Sequence, residues 1–273
     1  MKIIQGELLP NSKQFVHAIS IIEEDIGMAV EVKAFPVGYP YINVVTASKF
    51  RITGQQSNFS THSYICGQTI SPFDLQMPLI DRSLIIHLKP WGLQSLYPNL
   101  VPDISNLQID LALLDSVLAN ELAHLMDSSL SSESVLESAQ KALITKFKGT
   151  SPDTRVLAAW QQIVWGGGDL KVAELASYLN LSPRRLQQLF KSVIGMSPKQ
   201  YMKVARLQHY TYHLLQHETN DTIPSGYYDQ SHFIHELGQQ TQMTPTAFHS
   251  FLTTSGQSEA YLNTNLYRQY GSN

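Results

Sequence analysis

Residues 172–201 read VAELASYLNLSPRRLQQLFKSVIGMSPKQY, and the spacing within them decides the reading of the chain. Val172 to Leu179 has the period of a short amphipathic helix, with Leu175, Ala176 and Leu179 inward. Ala176 is small enough to let a second helix cross closely. Asn180 tolerates the left-handed backbone that a tight turn needs, and Leu181 plugs that turn. Ser182 is a strong N-cap, and Pro183 opens the next helix at a position where its missing N–H is harmless. Leu186, Leu189 and Phe190 anchor this second helix in a core. That leaves Arg184, Arg185, Gln187, Gln188 and Lys191 on its outer face. The arrangement is a helix-turn-helix, with Pro183 to Lys191 as the helix suited to a DNA major groove. Arginine can donate two bonds to guanine and glutamine can pair bidentately with adenine. Lys191 and Lys199, at the margins, suit phosphates.

The unit is duplicated. Residues 182–201 and 229–248 match at a fixed offset: Leu186 falls on Phe233, Phe190 on Leu237, Met196 on Met243, Ser197-Pro198 on Thr244-Pro245, and Tyr201 on Phe248. Two copies are too few for a solenoid. Each ends in a hydroxyl residue followed by proline, a cap and first-turn pair.

Charge follows the same division. The net charge of -3 makes the whole chain no polycation, so any affinity for nucleic acid has to be local. From Ser182 to Arg206 there are six positive side chains, Arg184, Arg185, Lys191, Lys199, Lys203 and Arg206, and no carboxylate. From Leu207 to Leu262 there is no Lys or Arg, but Glu218, Asp221, Asp229, Glu236 and Glu259 occur. The sequence thus places the outward positive charge between Arg184 and Arg206.

Upstream, residues 1 to about 100 are β-rich. Tyr41–Val45 and Ser83–Leu88 are apolar or β-branched runs punctuated by Gly and Pro. Two helices are expected next: one on Leu111, Leu114, Leu118, Leu122 and Leu125, the other on Val135, Leu136, Ala139, Leu143 and Phe147. Ser134 with Glu137 suggests a capping box at the start of the second. Gly149 to Asp153 reads as a linker, and Ser151-Pro152 as the cap of a helix carrying Val156, Ala159, Trp160 and Ile163. Gly166-Gly167-Gly168 stops that helix; lacking a following Lys-Ser/Thr, it is no phosphate loop. The domains expected are 1–148, β-rich with two trailing helices; 149–168, linker and helix; 169–252, helical, with a first unit at 172–191 and a second at 217–248; and 253–273, a polar tail.

The pattern LAxxLxLSPRRLQQLFKxxxGMSPKQY, followed by ARLQ and a Leu-Leu pair, closely resembles the AraC/XylS family of transcription regulators. GYYDQSHFI resembles the start of that family's second reading helix. The resemblance covers about 170–250. It implies two helix-turn-helix units joined by a long helix, here Pro198 to about Gln216, that reach successive major grooves about 34 Å apart. It also places base-reading residues at Arg184, Gln187 and Gln188, then at Gln230, Ser231 and His235. A weaker resemblance, carried by FVHAI, Pro36-Val37-Gly38 and Cys66-Gly67-Gln68, links the N-terminal part to the β-rich sensor domain of one AraC-type subgroup, implying a cupin-like fold. The implied architecture is α+β: a β-rich, cupin-like domain with trailing helices, then an all-α AraC-type domain.

The second unit departs from that pattern. Only Gln216 to Ser225 separate Leu215 from Gly226, about one turn too few for the supporting helix, and Pro224 interrupts them. The expected Arg is His235, the expected Phe is Leu237, the basic residue after it is Gly238, and Glu236 stands beside the reading face. This unit is expected to add little DNA affinity.

Other candidates are weaker. His209, His213 and His217 recur every four residues, a spacing that can hold a transition metal; with no carboxylate or Cys completing a set, they are read as polar surface and no metal site is assigned. His17, His62 and His87 are scattered, without the dense cluster of a catalytic cupin. The single Cys66 excludes an internal disulfide and is read as a small core residue. Trp91, Trp160 and Trp165 are assigned to core or subunit contacts. No signal peptide or membrane span is visible, which makes the cytoplasm the default. The leading expectation is a regulator that binds double-stranded DNA, answers to an unknown small-molecule effector or partner, needs no cofactor and is no enzyme, with RNA polymerase and a second copy as possible further partners. A protein-interaction module or decayed paralogue comes second, and a cupin-like enzyme a distant third.

Overall fold

The structure is a computed structural model and describes residues 2–23, 30–45, 49–54, 58–77, 82–127, 129–147, 151–217 and 226–254. The chain divides into two units. One comprises Met1–Ala34, Tyr39–Gln68 and Phe73–Ser151; the other comprises Phe35–Gly38, Thr69–Pro72 and Pro152–Asn273. The fold class is α+β.

In the first unit the strands are β1 (Lys2–Gln5), β2 (Val16–Glu23), β3 (Val30–Ala34), β4 (Tyr41–Val45), β5 (Phe50–Thr53), β6 (Asn58–Thr61), β7 (Ser63–Cys66), β8 (Phe73–Met77), β9 (Arg82–Leu88) and β10 (Gln108–Asp110). Its helices are α1 (Gly92–Leu96), α2 (Val101–Ile104), α3 (Leu111–Leu114), α4 (Ser116–Asp127) and α5 (Ser132–Lys146). Two antiparallel sheets form, in the orders β1-β2-β9-β4-β7-β10 and β3-β8-β5-β6. Alternation along the strands sorts side chains between two cores. Ile42 and Val44 of β4 and Leu84 and Ile86 of β9 pack with Leu118 and Leu122 of α4 and Val135 and Leu143 of α5. Val45, Tyr64 and Cys66 instead join Phe50, Ile52, Phe73 and Leu75 of the second sheet.

Gln140, 1% exposed, ties α5 to the N-terminal loop. Its Oε1 accepts from Leu9 N at 2.8 Å and Ser12 Oγ at 2.7 Å, and its Nε2 donates to Glu7 O at 2.9 Å. Burial leaves His17 and His87 neutral, with pKa values lowered to about 3 and about 4. Cys66 is fully buried, and burial pushes its thiol up to about 12.

Three local expectations are corrected. The α5 cap is Ser131, whose hydroxyl accepts from Ser134 N, so the helix starts one turn before the Ser134 box. The first leucine stripe is broken at Asp115, which accepts from Leu118 N at 3.0 Å and from Lys146 Nζ at 2.8 Å; a carboxylate with two good donors makes a stable break between α3 and α4. In the second unit, α6 (Thr154–Trp165) is capped by Asp153, not by Ser151.

The second unit continues with α7 (Val172–Tyr178), α8 (Pro183–Val193), α9 (Pro198–His217), α10 (Gln230–Thr241) and α11 (Pro245–Thr254). The glycine run stops α6 as expected. Gly168 adopts a left-handed φ of 75°, and a Cβ there would lie 2.4 Å from Met202 O, so only glycine fits. Trp160 is buried, whereas Trp165 is 62% exposed. Residues 35–38 form part of this unit's core: Phe35 packs with Leu207, Leu214, Phe233, Leu237, Phe248 and Leu252. Gln208 Nε2 donates to Pro36 O at 2.7 Å, and Tyr201 OH donates to Gly38 O at 3.0 Å. Among the described residues no helix is long and apolar enough to cross a membrane.

Candidate nucleic-acid interface

The turn between α7 and α8 follows from its residues. Asn180 takes a left-handed φ of 54°, and Leu181 N returns to Ala176 O at 2.9 Å. Ser182 Oγ accepts from Arg185 N at 3.2 Å, with Pro183 in the first turn. Leu186, Leu189, Phe190 and Val193 are buried, which fixes the rotation of α8. Pro183, Arg184, Arg185, Gln187, Gln188 and Lys191 are therefore all exposed, and so is Lys199 on the first turn of α9. Behind them Trp160 Nε1 donates to Tyr201 OH at 2.8 Å, and Phe190 meets the Tyr201 ring edge-on. An exposed helix held by buried aromatic packing loses little entropy when it engages a partner.

The second copy repeats the cap, the outer helix and the start of the following helix of this construction. Asp229 takes the place of Ser182 and accepts from His232 N at 2.8 Å. Phe233 and Leu237 are buried where Leu186 and Phe190 are. Thr244 Oγ1 accepts from Ala247 N at 3.2 Å, and Pro245 opens α11 as Pro198 opens α9. Gln230, Ser231 and His235 are exposed on α10 beside Ile234, and His235 Nε2 contacts Gln239 Nε2 at 2.9 Å. The shortened connection, with Glu218, Asp221 and Pro224, lies outside the described residues.

Two charge expectations are overturned. Arg206 does not belong to the outward patch: its Nε and Nη2 donate to Glu236 at 2.9 and 3.0 Å, and its Nη1 donates to Gly168 O at 2.9 Å. Nor does Glu236 face phosphates; its side chain is 1% exposed, with Lys203 Nζ also within 3.3 Å. The physical reason is register. Arg206 on α9 and Glu236 on α10 meet across a helix packing face, where a bidentate guanidinium–carboxylate pair satisfies both charges. The Arg206 guanidinium also lies 5.5 Å from the centre of the Tyr227 ring. Burial, with Glu236 nearby, pushes the Tyr227 phenol above its ordinary range. A Cβ on Gly226, whose φ is 88°, would come within 2.8 Å of the Arg206 side chain. Sequence periodicity marked Arg206 only as a cation; its partner lies 30 residues away, beyond the reach of any local pattern.

Among the described residues no group of three or more metal-binding side chains is assembled. His62 is exposed, while His17 and His87 are buried within the first unit.

A helix-turn-helix with a cationic and amide-bearing outer helix, followed by a second capped helix on the same plan, is the arrangement of a DNA-binding domain. Residues 175–250 match the family model described as a helix-turn-helix domain. No curated protein matches the chain. Among solved structures the chain is similar to ToxT from Vibrio cholerae O395, with 13% identity over 89% of this chain and 99% of that one and a TM-score of 0.47. It is similar also to unsaturated fatty acid bound wild-type ToxT from Vibrio cholerae strain SCE256, at 14% identity over 84% and 97% with a TM-score of 0.43. The AraC-like transcriptional activator CuxR matches at 14% identity over 77% and 86%, with a TM-score of 0.27.

Proposed function

We propose that the chain is a sequence-specific DNA-binding transcription regulator of the AraC type in which α8 reads the bases. The observation that carries this reading is the outer face of α8, where two arginines, two glutamines and a lysine are exposed with no carboxylate between Ser182 and Arg206. In this reading Arg184, Gln187 and Gln188 contact base edges, Arg185 adds positive charge, and Pro183 sets the entry of α8 into the groove. Lys191 and Lys199 contact phosphates. Gln230, Ser231 and His235 form a second and weaker contact set. Control is exerted through the N-terminal unit by a small molecule or a partner. In support, that unit has an open cleft of about 340 Å³ whose wall mixes polar side chains, among them Lys49, His62, Asp110 and Asp127, with apolar ones such as Val45 and Ala119. A second copy and RNA polymerase are the protein partners of such a regulator, which acts in the cytoplasm and catalyses no reaction.

The test is selection of binding sites from random duplexes with the full chain, followed by titration of the best site at several salt concentrations. Specific binding with log affinity falling steeply in log salt is expected. Binding without sequence preference, or none at low salt, would favour a helical unit that contacts protein instead, a reading supported by the absence of Lys and Arg from Leu207 to Thr254.

A further inference from the structure

The histidine pair on α9 was set aside as polar surface because no third ligand type completes a set in sequence. The structure adds a distance. His209 and His213 lie one helical turn apart, and their Nε2 atoms face each other at 3.0 Å. The geometry points to a two-imidazole binding site for a divalent late transition metal, copper(II) or nickel(II), on α9.

A metal–imidazole bond of about 2.0–2.1 Å, applied to two nitrogens 3.0 Å apart, gives a nitrogen–metal–nitrogen angle near 90°, with the ion about 1.4 Å to one side of the line between them, so both rings turn out of their present mutual hydrogen bond to take it up. A right angle is the cis angle of tetragonal copper(II) and nickel(II), and it is too small for the tetrahedral angle that zinc prefers. The His209 ring lies close to Gly167, where an added Cβ would be 3.4 Å from it. The preceding helix stop thus limits the rotation of the first ligand. His213 is exposed, so the pair is open to an ion from solvent. The cation one turn before His209 on α9, Arg206, is paired with Glu236. Chelation would tie positions 209 and 213 of the helix that joins the two DNA-binding copies, and so stabilise the folded chain by mass action.

The experiment uses the tag-free full chain. Nickel(II) chloride is titrated calorimetrically, the thermal midpoint is followed with and without the metal, and copper(II) paramagnetic resonance reports nitrogen coupling. The expected result is one nickel per chain, a rise in midpoint, and coupling to two imidazole nitrogens. His213→Ala, at an exposed position, is expected to weaken nickel binding at least tenfold and abolish the rise while leaving the circular dichroism unchanged. His209→Ala serves as a second variant and His249→Ala as the control that retains binding. Nickel binding unchanged in His213→Ala, or lost only in His249→Ala, would overturn the site, as would a wild-type chain that binds no nickel below millimolar concentration. None of these readouts depends on DNA.

Discussion

The two helix-turn-helix copies agree inside and disagree outside. Leu186 and Phe233, Phe190 and Leu237, and Tyr201 and Phe248 occupy matching buried positions, and Ser182 and Asp229 cap matching helices. On the surface, Arg184, Arg185, Gln187, Gln188 and Lys191 are set against Gln230, Ser231, Ile234, His235 and Gln239. The one carboxylate on α10, Glu236, has moved into the interior, where it holds Arg206. A fold can therefore be kept by its buried residues while its electrostatic face is rewritten. The presence of a helix-turn-helix is no measure of how much it contributes to binding DNA.

The largest effects should come from what the copies share. Residues 35–38 touch both at the same repeat position, through Gly38 O to Tyr201 and Phe35 to Phe248. Phe35→Ala is expected to destabilise the helical unit by about 3–5 kcal/mol, read from the urea midpoint; a loss below about 1 kcal/mol would mean that the two copies support themselves. Glu236→Ala strands the buried Arg206 and should cost a similar ~3–5 kcal/mol. Adding Arg206→Met to it should recover much of that loss, and no recovery would show that the pair's role is not electrostatic.

Smaller effects should separate the surfaces. Arg184→Ala or Gln187→Ala should lower affinity for the best site by about 1–3 kcal/mol and relax base preference. Gln230→Ala or His235→Ala should stay within about 0.5 kcal/mol. Equal losses from both helices would end the contrast. The smallest change lies in salt dependence. Lys191→Ala or Lys199→Ala should flatten the log–log slope by about 0.9, and His235→Arg should steepen it by a similar amount if α10 lies near a phosphate. An unmoved slope in His235→Arg would show that α10 stays away from the duplex backbone.

Much of this was legible in the sequence because it is local. The Asn180 turn, the Ser182 cap, the rotation of α8 and the limits of α9 all follow from spacings within one or two helical turns. What was not legible depends on register between distant segments. The Arg206–Glu236 pair reads as a cation on one helix and an anion beside another until the crossing of α9 and α10 is known. The Ser134 and Ser151 caps were misplaced because Ser131 and Asp153, a few residues away, offer equally good acceptors, and packing decides between them. Which exposed residues of α8 matter is legible only from the family resemblance and the charge run together, since the outer face of a helix carries no packing signal of its own.

Phe35 also bears on how the molecule could be taken apart. A gene segment coding for residues 152–273 would supply every helix of the DNA-binding unit and still omit an aromatic side chain from its interior, along with the carbonyl acceptors of Gln208 and Tyr201. Transplanted onto a foreign sensor, such a segment would arrive with a hole in its core and two stranded donors. The portable module is discontinuous in the chain. A working chimera has to carry the four residues 35–38 as a graft, or bring a substitute that fills the same space and accepts the same two hydrogen bonds.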